Sequence, residues 1–118
     1  MEFVLTFHQP AEVFEVNDDP VRGVVPMQAW KLYVEAMTAA GVLRECTRLE
    51  QFHGTAVRVR DGKRQVQDGP FAETKDLLGG YVRLEVDSID EALLWAERCP
   101  GSAVGVTQVW PVRSLPPR

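Results

Sequence analysis

The amino-acid sequence predicts an α+β domain in which two strand–helix–strand units flank a β-hairpin. Three observations carry that expectation. Strict apolar–polar alternation recurs near the start, in the middle and toward the end of the chain. Two other segments repeat apolar residues at three- and four-residue steps, as an amphipathic helix does. An Asp-Gly pair separates two extended runs in mid-chain, where a tight turn is required. The chain has 118 residues, enough for one domain with one core.

The first strand is read from Glu2 to His8, with Phe3, Leu5 and Phe7 on one face and Val4, Thr6 and His8 on the other. Residues 9–25 read as a long connection, broken by Pro10, Asn17-Asp18-Asp19-Pro20 and Gly23 and anchored by Phe14. Its length suits a lid or a dimer contact. Pro26 fits the first turn of a helix whose stripe is Met27, Trp30, Val34 and Met37, with Gly41 as its left-handed cap. Residues 42–51 form a second strand. Val57 and Val59 then alternate with Arg58 and Arg60, Asp61-Gly62 turns the chain, and residues 63–67 return. Gly79-Gly80 opens a strand over Tyr81 to Val86. Ser88 and Glu91 have capping-box spacing, so a helix begins at Ile89 with Ile89, Ala92, Leu93 and Ala96 turned inward. Pro100-Gly101 stops it, a last strand spans residues 103–112, and residues 113–118 make a flexible tail after a domain of residues 1–112.

That order gives a ferredoxin-like βαβ-hairpin-βαβ sandwich. Right-handed crossovers put both helices on one face of the sheet. The other face, carrying Val4, Thr6, His8, Tyr81, Arg83 and Glu85, is left bare. A second copy is the expected cover, which makes the protein a homodimer with a semi-polar cleft between its sheets.

Composition narrows the partners. Seventeen acidic residues against thirteen basic ones give a net charge of -4 and a pI near 5.1. Neither nucleic acid nor an anionic membrane is expected to attract such a chain. No stretch is apolar enough for a signal or a span, so a cytoplasmic location is expected. Cys46 and Cys99 lie far apart, in no metal-ligand spacing, and read as reduced thiols. His8 and His53 form no HxH or HxxxH pair, and neither a phosphate loop nor a nucleophile elbow is present. No metal or cofactor is expected.

The stretch Asp68-Gly69-Pro70-Phe71-Ala72-Glu73-Thr74-Lys75 is the most specific signature in the chain. Together with Ala40-Gly41-Val42-Leu43, Val57 to Lys63, Leu78-Gly79-Gly80-Tyr81 and Ala96 to Pro100, it resembles the DGPF branch of the YCII-related family from about Glu2 to Val112. The resemblance implies a dimeric ferredoxin-like α/β barrel. It also implies an enzymatic role built on a histidine and an aspartate, and an association of some members with extracytoplasmic-function sigma factors. The wider family carries its histidine on the first helix, whereas residues 26–40 of this chain contain none.

Two functions follow as expectations. In the first, the dimer binds a small organic molecule in the inter-subunit cleft, with Asp68 and His8 as an acid–base pair and Arg83, Tyr81, Glu85 and Phe71 as ligand contacts. Each residue also has a structural account. Asp68 can close an Asx turn, Phe71 can anchor the loop in the core, and His8 can be a hydrogen-bonded residue at the core edge. Arg83 and Glu85 can pair across a dimer. In the second, the chain is a non-catalytic regulatory module whose partner is a sigma factor.

Overall fold

The computed structural model describes residues 1–50, 54–69, 71 and 75–115. Among them the chain runs β1 (Glu2–Gln9), α1 (Ala11–Asp18), α2 (Val24–Ala39), β2 (Leu43–Arg48), β3 (Thr55–Arg60), β4 (Lys63–Asp68), β5 (Leu77–Glu85), α3 (Ile89–Arg98), a 3₁₀ turn (Pro100–Ala103) and β6 (Val106–Pro111). Four strands form an antiparallel sheet in the order β2-β5-β1-β6, and among the described residues β3 and β4 form a separate two-stranded sheet. This is the ferredoxin-like α+β arrangement with the hairpin inserted between its halves.

β1 is an interior strand, paired with β5 on one side and β6 on the other, and its residues alternate strictly between the two faces. Phe3, Leu5 and Phe7 point to the helices and are buried, joined there by Val82 and Leu84 of β5 and by Val86. Tyr33 and Met37 from α2 and Ala92, Ala96 and Cys99 from the α3 segment complete this core. The two alanines present almost no side chain, so α3 lies close on the sheet.

Local chemistry sets the helix ends. Gly41 takes φ 72°, and the amides of Gly41 and Val42 donate to the carbonyls of Thr38 and Met37, a Schellman closure of α2. At α3 the Ser88 hydroxyl accepts from the Glu91 amide at 3.2 Å, while Glu91 reaches back to the Asp87 amide at 3.0 Å.

Several expectations change in detail. The connection over residues 9–25 holds a helix, α1, that Phe14 pins to the body. Its apolar residues are too few to announce a helix by periodicity. The buried line of α2 runs through Tyr33 as well as Met37, with Trp30 and Val34 half-buried beside it. On α3, Ile89 and Leu93 are exposed, correcting the inward stripe expected for them. Leu93 lies about 100° around the helix from Ala92, and the small residues take the inner face. β2 ends at Arg48, β5 already begins at Leu77, and the 3₁₀ turn delays β6 to Val106.

The Asp61-Gly62 turn forms as expected, with both residues at positive φ. The hairpin nevertheless has no wet and dry side. Every β4 residue is exposed, and so are Val57 and Val59 on β3. It projects as an arm, with little packing on other elements. The radius of gyration is 16.3 Å, against about 13–14 Å for a compact chain of this length.

Candidate functional site

The sequence-derived candidates occupy two places. His8, Tyr81, Arg83 and Glu85 come together on the bare face of the sheet, as the strand alternation requires. Trp110 and Val106 of β6 and Glu45 and Thr47 of β2 share that face. A polar network ties it. The Thr6 hydroxyl accepts from Trp110 Nε1 at 3.1 Å and shares a hydrogen bond with His8 Nε2 at 2.9 Å. The Tyr81 hydroxyl donates to Glu45, and Arg83 pairs with Glu2 at 2.7 Å. The amino terminus meets Glu85 at 3.2 Å.

Asp68 and Phe71 lie elsewhere, at the root of the hairpin. Asp68 ends β4 and accepts from the Thr55 hydroxyl at 3.2 Å, while the Gly69 amide donates to the Gly54 carbonyl at 2.8 Å. Gly69 holds φ 86°, which suits glycine. Phe71 is half-buried under the Arg58 guanidinium, 4.1 Å above its ring. Among the described residues no hydrogen bond or ion pair joins His8 to Asp68; each has its own hydroxyl partner. His53, Pro70 and Ala72 to Thr74 lie outside the described residues.

The concave space is on the opposite, helix-covered side. A cleft of about 400 Å³ opens between α1, α2 and the sheet, walled by Phe7, Phe14, Met27, Trp30, Val34 and Cys46. Its existence follows from packing. Phe14 packs against Gly79, where a Cβ would sit 2.3 Å from the Phe14 ring, so glycine admits this approach. Phe7 and Trp30 meet edge to face with centroids 5.0 Å apart, and Trp30 meets Tyr33 at 6.0 Å. Polar groups sit at the rim. Arg48 pairs with Asp18 there, tying the end of β2 to the end of α1, and Lys31 and Glu35 stand on α2. Cys46 is exposed at the mouth of the cleft, and partial desolvation there raises its thiol pKa, so it stays a neutral wall group at neutral pH. A second hollow, of about 490 Å³, lies beyond Trp30 toward Pro100 and Val104; Gln9, Asn17 and Trp30 belong to both. None of Asp68, His8, Arg83, Tyr81, Glu85 or Phe71 lines either hollow.

Among the described residues, no three of His, Cys, Asp or Glu gather as metal ligands, and no helix is long and apolar enough to cross a membrane. Cys46 and Cys99 are both free thiols. One further cleft residue, Gln9, carries a signal in the sequence itself. The inward positions of β1 run Phe3, Leu5, Phe7 and then Gln9, so an amide stands where the pattern calls for a hydrophobe.

Comparison with known proteins agrees with this architecture. A family model described as the YCII-related domain matches residues 4–116. A solved structure similar to this chain is 5-chloro-2-hydroxyhydroquinone dehydrochlorinase from Burkholderia phenoliruptrix, in complex with 2,5-dihydroxybenzoquinone. It is 17% identical with a TM-score of 0.57, covering 96% of this chain and 94% of that one, a likeness of fold. No curated protein matches the chain. With nearly its whole length matched by the family model and its strands in ferredoxin-like order, the chain belongs to the YCII-related domain family.

Proposed function

We propose that this protein binds a small, flat organic molecule in the cleft between α1, α2 and the sheet. The observation that carries the proposal is the cleft itself: about 400 Å³, walled by aromatic and sulfur-bearing side chains and rimmed by charge. That size and lining are those of small-molecule sites. The fold supports the proposal by analogy, since the dehydrochlorinase of like fold carries a dihydroxybenzoquinone. Ring stacking on Trp30 or Phe14 supplies affinity, and the Lys31 ammonium at the rim offers a donor to an oxygen at the ligand's outer edge. Titration of 2,5-dihydroxybenzoquinone, followed by tryptophan fluorescence, tests this. Binding to the wild type and a loss of about tenfold or more in Cys46→Phe, which fills the cleft, are expected. Unchanged affinity in the filled variant removes the cleft from consideration.

A homodimer is the second part of the proposal. Trp110 is 52% exposed and Val106 is 50% exposed on the bare face, beside the Thr6–His8 pair. Apolar surface of that kind on one side of a sheet is well served by a second copy. Light scattering on the wild type and on Trp110→Glu distinguishes a dimer broken by one charge from a chain that is monomeric throughout.

A further inference from the structure

We infer that Gln9 is the polar recognition group of the cleft, and that it selects a ring bearing a hydrogen-bond acceptor next to a donor, as hydroxy-carbonyl rings do; this rests on the ligand-cleft reading above. Gln9 is 3% exposed and is the buried polar residue of the described core. It ends β1 on the helix side and lines both hollows, with Trp30 beside it. Its backbone continues the ladder to Leu77. Its carboxamide has no hydrogen-bond partner among the described residues. Yet no fully enclosed side-chain nitrogen or oxygen there lacks one. The carboxamide therefore keeps a small access to open space, and the open space around Gln9 is the pair of hollows.

The side chain is also seated. A Cβ on Gly101 would lie 2.4 Å from Gln9 Nε2 and 3.1 Å from the Trp30 ring, and a Cβ on Gly105 would lie 2.9 Å from Gln9 Cγ. Two glycines thus make room for one amide and hold it beside the indole. A buried amide without a protein partner is costly unless something polar meets it. A carboxamide offers N–H donors and a carbonyl acceptor side by side, so its complement is an adjacent acceptor and donor. Stacking on Trp30 sets the ligand plane, and Gln9 reads its edge.

The test compares two rings, benzene for shape alone and 2,5-dihydroxybenzoquinone for shape plus oxygens, on wild type, Gln9→Leu, Gln9→Glu and Gly101→Ala. Binding is read by NMR shifts of the Trp30 indole, and thermal melts establish that each variant folds. Wild type is expected to bind both. Gln9→Leu is expected to keep benzene and to lose about tenfold or more in hydroxyquinone affinity, because an apolar end leaves the ring's oxygens unpaired. Gly101→Ala, which displaces the amide without deleting it, is expected to lose hydroxyquinone affinity in the same sense. Should Gln9→Leu fail to fold, Gln9→Glu, of the same shape but without the donor, takes its place with the same expected loss. Hydroxyquinone binding unchanged in the folded Gln9 variant overturns the assignment while leaving the cleft in place. A wild type that binds neither ring overturns both.

Discussion

The two faces of the central sheet are made by the same strands and behave as different materials. The helix side carries Phe3, Leu5, Val82 and Leu84, enclosed under α2 and α3 with no room for water. The bare side carries Thr6, His8, Tyr81 and Arg83, each held by a hydrogen bond or ion pair. One residue of shift along β1 exchanges the two sets. Burial holds the first side together; hydrogen bonds and ion pairs specify the second, and both hollows open at the margin of the first.

Truncation on the covered side gives the largest contrast. Leu84→Ala is expected to destabilise the chain by about 3–5 kcal/mol in chemical denaturation, as a cavity in a closed core does. Val4→Ala, on the other face of the same sheet, is expected to cost about 1 kcal/mol or less in the dissociated protomer and more where the proposed second copy covers it. Equal losses would mean that a second copy covers the bare face in solution, and a dependence on protein concentration would show it. A smaller effect is expected from Tyr81→Phe. Removing the hydroxyl that meets Glu45 is expected to cost about 1 kcal/mol, since both groups remain partly open to water.

The smallest effect is local to the turn before α2. The amides of Arg22 and Val21 donate to Asp19 and hold its carboxyl below the ordinary pKa. A depressed folded-state pKa contributes stability that is complete above the unfolded value and is lost as pH falls through the folded one. Acid is therefore expected to loosen the Asp19–Gly23 turn only below the ordinary carboxylate range, seen as amide shifts of Val21 and Arg22 that Asp19→Asn abolishes.

The fold was legible where one pattern met one environment. Phe3, Leu5 and Phe7 announced both the strand and its inner face, and Asp61-Gly62 announced its turn. The family was legible from the stretch around Asp68 and Phe71. The cleft was not. It exists because α1 lies across the sheet, and α1 has a single buried side chain, too little for a periodic signal. Leu93 misled for the opposite reason. It reads as core by hydrophobicity, yet Ala92 and Ala96 occupy the inner face because only small residues allow α3 to lie so near the sheet.

The hairpin stands apart from both faces. Its strands are anchored at the root by Thr55 and Asp68, while its tip carries Arg60, Lys63 and Arg64 into solvent. A ribbon fastened at one end only can change its tip without reshaping the cleft. The shape of the cleft and the chemistry of the hairpin tip can thus be altered independently of each other.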